Sequence, residues 1–334
     1  MFGRQLAPGV ARLRAFLALL AAGVAIALLV LHRETLDDSF QTSFARMRWT
    51  WVVAAILFNL LSAAAGSVAW DTVIKQAMAP PHPRYRDVLS SFCVGLFGNI
   101  VLPGRAGEVA RVAVLARRLS GRKSIWATLA GTVVAYRLLD LLPSLALILY
   151  VLVFVPMPHW ALESLLLFAV AGVALLVLGF VSARRHERPL FRAGGSIRQL
   201  GTMAREGLGI LRTPVPAASA TLYQTLAWLA QLLAVFATMR AFGLGLPLSA
   251  AALVLVLVNL AILFPVWPGN VGLLQAAIAV PLTAYGIDYG RAIAFGVGLQ
   301  AIEVSVGLGL GLLFLAREGL SLAVFTREPE AEEA

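Results

Sequence analysis

The stretch "FGNIVLPGRAGEVARVAVLARR", residues 97–118, decides how the chain folds. An apolar run arrives at Pro103-Gly104 and stops there. Arg105, Glu108 and Arg111 then follow at three-residue spacing, and Arg117-Arg118 closes the stretch. The run leading into the break, 88–103, is too short to cross a bilayer core of about 30 Å, which takes roughly 20 helical residues. Proline ends a helix and glycine permits a tight turn, so the pattern predicts a half-length helix, a break, and a second half-length helix.

The rest of the chain supplies the setting for such a break. Of 334 residues, 60% are hydrophobic and 13% charged, and mean hydropathy is +0.86. Soluble domains carry more charge than this. Apolar segments fall near 15–31, 50–70, 88–103, 125–155, 160–182, 216–240, 249–267, 270–286 and 291–316. That many runs of this length predict an all-α, polytopic membrane protein forming one integral domain over 1–334. Segment 125–155 exceeds one straight crossing and contains Pro143, which is expected to kink or divide it. The N-terminal run is followed by no small-residue cleavage site before His32-Arg33, so a retained first helix is expected.

Net charge is +10. In a soluble protein this would suggest nucleic acid, but here the positive-inside rule accounts for it and no nucleic-acid partner is expected. With both termini cytoplasmic and 88–103 returning to its own side, the inner segments hold 3, 3, 6, 7 and 2 basic residues, 21 of the 27. If 88–103 spanned, the two most basic loops would lie outside. A bacterial inner membrane is the expected location. Cys93 stands alone and the four histidines are scattered, so neither a disulfide nor a metal site is expected, and no cofactor.

A second break echoes the first. "LPGRAGEVA" at 102–110 and "WPGNVGLLQ" at 267–275 share Pro-Gly-x-x-Gly at an offset of 165 residues. Pro103, Gly104 and Gly107 map onto Pro268, Gly269 and Gly272. With one copy entering from each side, two pseudo-repeat halves, about 1–182 and 216–316, are expected to form an inverted repeat with two re-entrant hairpins. The basic loop 183–215 joins them. It is either a linker or an amphipathic segment on anionic lipid. Irregular chain at membrane depth is admitted only where protein or a wet cavity surrounds it. Half-helix N-termini there attract anions.

The breaks therefore mark a candidate head-group site: Arg105, Glu108 and Arg111 on one helical face, with Asn99, Asn270 and Gln275 near the turns. Arg105 and Arg111 would hold a phosphate and Glu108 their geometry; the alternative is an interfacial basic helix. Intramembrane polar groups extend the list. Arg137 and Asp140, three apart, can pair on one face; Gln300 and Glu303 lie deep in the last span. Such residues are costly in lipid and usually face a cavity or one another. Arg137–Asp140 reads as either a packing pair or a cavity pair, and Glu303 as either a partner of a distant arginine or a protonated acid.

"NIVLPGRAGEVARVAVLARR", "VVAYRLLDLL" and "LFPVWPGNVGLLQAA" with "YGI", in that order over about 90–310, resemble the motif regions of the lysylphosphatidylglycerol synthase transmembrane family of flippase-like integral membrane proteins. The resemblance implies a lipid flippase or transporter, as in the membrane half of the multiple peptide resistance factor. Two departures remove negative charge: Trp267-Pro268-Gly269-Asn270 with Gln275 replaces a Ser-Pro-Gly-Gly break followed by an acid, and Tyr136 precedes Arg137 where the family often has Glu. Both put in question whether the head group is cationic. No soluble synthase domain follows in the sequence as it stands.

The expectation is thus a transporter and not an enzyme, moving a phospholipid or a polyprenyl- or hopanoid-type amphiphile between leaflets. No ATP-binding signature points to its energy source, and no catalytic constellation was found. The alternatives are an integral-membrane transferase acting on a lipid-linked sugar or amino acid, and a non-transporting accessory subunit. Membrane lipid is the expected partner, with a lipid-pathway enzyme or a second copy of the chain as further candidates.

Overall fold

A computed structural model describes residues 40–101, 107–119, 125–155, 159–184, 213–263, 270 and 272–318. The first apolar run, the loop 185–212, and Pro103, Gly104, Arg105, Pro268 and Gly269 lie outside the described residues. Among those described, all regular structure is helical, as expected. The elements are α1 (Trp49–Ala77), α2 (Tyr85–Val101), α3 (Gly107–Arg118), α4 (Ile125–Phe154), α5 (His159–Arg184), α6 (Pro214–Ala241), α7 (Leu248–Leu263), α8 (Leu273–Thr283) and α9 (Tyr289–Glu318). Among the described residues, four helices are long and apolar enough to cross a membrane: Trp49–Ala77, Ile125–Phe154, Pro214–Ala241 and Tyr289–Phe314. The chain is an integral membrane protein.

The helix order repeats. Helices α1 to α4 start at 49, 85, 107 and 125, and α6 to α9 at 214, 248, 273 and 289, so equivalent starts lie 165, 163, 166 and 164 residues apart. Packing repeats with it. Contacts of α1 with α2, α2 with α3, α3 with α4, and α2 with α9 each have their exchanged counterpart in α6–α7, α7–α8, α8–α9 and α7–α4. The equivalent helices α1 and α6 form the most extensive contact of all. They run antiparallel: the Arg48 N–H donates to Ala241 O at 2.9 Å, while Val73 near the far end of α1 packs with Ala220 at the start of α6.

Small residues permit this seam. On α1 the positions Val52, Ala55, Asn59, Ser62, Gly66, Ala69 and Val73 alternate by three and four. On α6 Ala220, Gln224, Ala227, Gln231, Ala234 and Ala241 follow a matching stripe. Lipid supplies little hydrophobic drive between helices, so close backbone approach through small side chains carries association. At mid-seam the small apolar residues give way to Asn59, Ser62, Gln224 and Gln231.

Helices α2 and α3 form an antiparallel hairpin. At its tip a Cβ on Gly98 would sit 2.8 Å from the Gly107 Cα, and one on Gly107 would overlap Gly95 O and Asn99. At its open end Asp87 and Arg118 form an ion pair. The two helices have 17 and 12 residues, about 25 and 18 Å at 1.5 Å per residue, both short of a bilayer core. In the second half Asn270, at φ 46°, donates its side-chain N–H to Ala261 O at 3.1 Å. Gly272 then turns at φ 90°, a left-handed conformation that glycine adopts without cost.

Of the two outcomes expected at Pro143, division does not occur: the proline lies inside the continuous 30-residue helix α4. The ring removes one backbone donor, which leaves the Leu139 carbonyl without its usual partner. Long flanking turns and neighbouring helices absorb such a loss in membrane proteins, and the Ser144 hydroxyl adds a local bond to Leu141 O at 2.9 Å. Helix α9 docks on α2 through glycine: a Cβ on Gly311 would overlap the Phe97 Cβ, and one on Gly307 the Ile100 side chain.

Candidate functional site: a polar chamber between the repeated halves

The polar mid-seam positions open onto a cavity of about 370 Å³. Its walls come from both halves. On α1 the lining positions are Asn59, Ser62, Ala63 and Gly66; on α6 they are Gln224, Ala227, Trp228 and Gln231, each 165 residues later. The repeat thus extends to the individual lining residues.

Chemistry is not shared equally. The first half brings an ionic cluster. Arg111 pairs with Glu108 three residues earlier on α3, and Arg137 on α4 pairs with the other oxygen of Glu108 and with Asp140 at 3.2 Å. Asp140 Oδ1 accepts further bonds from the Gln224 side-chain amide and from the Trp228 indole at 2.6 Å. The second half brings amides: Gln224, Gln231, Asn259, Asn270 and Gln300, with Glu303 as its single charged lining residue. No hydrogen bond or ion pair reaches Glu303 among the described residues. Its side chain remains half-buried at the cavity wall.

The two arginines differ in what they can do. Arg111 is 3% exposed. Its guanidinium stacks among Trp70 at 4.6 Å, Tyr136 at 4.9 Å and Phe92 at 5.7 Å. A desolvated cation over aromatic faces gains roughly 0.5–2 kcal/mol per ring, so this box fixes Arg111 firmly. Arg137, with 39% of its side chain accessible, faces the cavity more openly.

Of the residues singled out in the sequence, Asn99, Gly107, Glu108, Arg111, Arg137, Asp140, Asn270, Gln300 and Glu303 line one chamber. Gln275 stands just behind the wall. Its Oε1 accepts the Gly272 N–H at 2.6 Å, capping the start of α8, and its amide donates to Gln300 Oε1 at 2.6 Å. Arg105 and the two Pro-Gly pairs lie outside the described residues. Sequence reasoning did not select Asn59, Ser62, Gln224, Trp228 or Gln231. The available signal was polar residues on a small-residue stripe, with one of them, Asn59, matched by Gln224 at the offset already visible in the two breaks.

An all-helical integral membrane protein whose repeated helix sets enclose an ionic and amide-lined chamber is the class these features define. The chain belongs to the family described as the lysylphosphatidylglycerol synthase TM region, whose model matches residues 11–311. No individually curated protein matches the sequence.

Proposed function

We propose that this protein moves an amphiphilic lipid between membrane leaflets, holding the head group in the polar chamber while the tails stay in the bilayer. One observation carries the reading: charges and amides from both repeated halves converge on a single cavity in a chain otherwise built for lipid. The charged groups alone cost at least about 2.5–3.5 kcal/mol each at membrane depth. A cavity that admits a polar head is a reason to retain them.

The two halves form an inverted repeat, and the α2–α3 and α7–α8 hairpins are re-entrant, one from each side. The antiparallel packing of α1 on α6 and the return of α2–α3 to its starting level at Asp87–Arg118 support this. Alternating access then comes from rocking one half against the other about the chamber. Both termini lie in the cytoplasm in this reading, which the distribution of basic residues supports.

Transport is favoured over catalysis because two of the three carboxyl groups among the described lining residues, Glu108 and Asp140, are engaged in ion pairs. The test is translocation in proteoliposomes, followed by chemical quenching of a fluorescent phospholipid in the outer leaflet. The intact protein should expose the inner-leaflet pool. Arg137→Gln and Asp140→Asn should slow exposure at least tenfold, about 1.4 kcal/mol in barrier, with membrane insertion unchanged. Equal rates in all three proteins would remove the chamber from the mechanism.

A further inference from the structure

A second cavity, of about 390 Å³, lies against the chamber and has the opposite character. Its lining includes Leu141 and Ile148 of α4, Phe168 and Leu175 of α5, and Val256 and Leu260 of α7. Four residues belong to both cavities: Arg137, Asp140, Trp228 and Asn259. They form a thin polar partition, held by the Arg137–Asp140 pair and the Trp228–Asp140 bond. On one side of it are charges and amides; on the other are aliphatic and aromatic side chains.

Among the described residues, the groove also uses a helix without a repeat equivalent: neither α5 nor its packing on α4 has an exchanged counterpart there. It supplies Phe168 and Leu175 to the groove wall. Beside the groove, Leu149 and Val153 of α4 and Leu167 and Val170 of α5 are more than half exposed, a surface suited only to hydrocarbon.

We infer that the α4–α5–α7 groove is a binding site for the acyl chain of the lipid whose head group occupies the chamber. This inference rests on the chamber reading and adds to it where the tail leaves the protein. An amphiphile matches a polar cavity and an apolar one that meet at a shared wall. An apolar helix seated there would gain nothing from an ionic partition at its edge. The partition residues contact the lipid where head joins tail, and Trp228 is suited to that level, since its ring presents an apolar face and one N–H donor.

The experiment uses the full chain in phosphatidylethanolamine–phosphatidylglycerol vesicles. A trace of phosphatidylglycerol carries a diazirine at the end of one acyl chain. After irradiation, labelled residues are mapped by mass spectrometry. The groove residues Phe168, Val256 and Leu260 should be labelled about fivefold above the open lipid face at Leu149 and Val153, a modest occupancy preference. Leu260→Trp and Leu175→Trp, two fillings from opposite walls, should each abolish that excess and leave the Leu149 and Val153 labelling unchanged. Uniform labelling, or an excess that survives both fillings, overturns the groove. So does a disulfide between Leu175→Cys and a cysteine placed within 15–31, which would seat the chain's own N-terminal run there. Translocation that persists without groove labelling rejects this inference alone; groove labelling without any effect of Arg137→Gln rejects the chamber alone.

Discussion

Asp140 on α4 accepts the indole N–H of Trp228 on α6 at 2.6 Å, and this bond ties the half that supplies the chamber's ion pairs to the half that supplies most of its amides. The carboxylate is also held by Arg137 and Gln224, so it works as a three-way junction. A hydrogen bond to a charged group contributes about 1.5–3 kcal/mol net. Trp228→Phe, which keeps the ring and loses the donor, should lower unfolding stability in detergent by that amount. In combination with Asp140→Asn the losses should fall short of additivity by about 1 kcal/mol or more. Additivity within experimental error would mean that the bond does not couple the helices.

Arg111 and Arg137 should separate stability from transport. Arg111 is enclosed by Trp70, Phe92 and Tyr136 and paired with Glu108. Breaking a buried pair costs roughly 3–5 kcal/mol because a charge is left behind. Arg111→Gln should therefore reduce the yield of folded protein. Arg111→Lys should rescue it poorly, since a compact ammonium cannot stack as a planar guanidinium does. Arg137→Gln should leave size-exclusion profiles intact while slowing translocation. The reverse pattern would exchange the roles assigned to them.

The α2–α3 hairpin can be tested by access from one side. The native Cys93 is buried, so it gives little background to a membrane-impermeant thiol reagent. Cysteines at Asp87 and Arg118, which meet at the hairpin's open end, should react from the same face of the membrane. Cysteines at Ser249 and Ala284, flanking α7 and α8, should both react from the opposite face. Labelling of Asp87→Cys and Arg118→Cys from different sides would show a crossing segment and end the re-entrant reading.

Two neighbouring glycines in α9 give a paired test of helix docking. A Cβ at Gly311 would overlap Phe97 on α2, whereas one at Gly309 meets nothing within 4 Å. Gly311→Ala should destabilise by about 1–3 kcal/mol, the usual cost of overpacking. Gly309→Ala should be neutral or stabilise by up to ~1 kcal/mol through helix propensity. Similar midpoints for both variants would deny that α9 approaches α2 through Gly311.

Much of the chamber was legible because its signals are local. A Pro-Gly break beside a half-length run marks Asn99 and Gly107, and charges inside apolar runs mark Arg137, Asp140 and Glu303. Each of these violates what lipid tolerates, so each stands out without a fold. The amides of α1 and α6 were harder to see. Asn59 and Gln224 can satisfy themselves within a helix, as Asn59 does in part by donating to Ala55 O at 3.1 Å. Only their place on a stripe facing another helix gives them a role. Likewise the aromatic box of Arg111 gathers Trp70, Phe92 and Tyr136 from three helices, a convergence that no spacing encodes. Pro143 left a kink and a division both open, and only the continuous helix decides against division, because a proline's effect depends on the neighbours that compensate it.

Glu303 offers a test of charge in the chamber. Among the described residues that line the cavity, Glu108 and Asp140 pair with Arg111 and Arg137, and Glu303 is the remaining carboxyl group. At a separation of about 6 Å and an effective dielectric near 20, one unit charge is worth roughly 2–3 kcal/mol to a charged head group before screening. Where Glu303 is ionised, Glu303→Gln keeps the shape and removes that charge. It should shift preference toward anionic head groups over zwitterionic ones by at least about tenfold, read as relative translocation rates of two labelled phospholipids in the same vesicles. The shift should shrink as salt is raised, provided the head group meets solvent in the chamber. Rates that fall equally for both lipids would assign Glu303 to packing of α9 instead of selection.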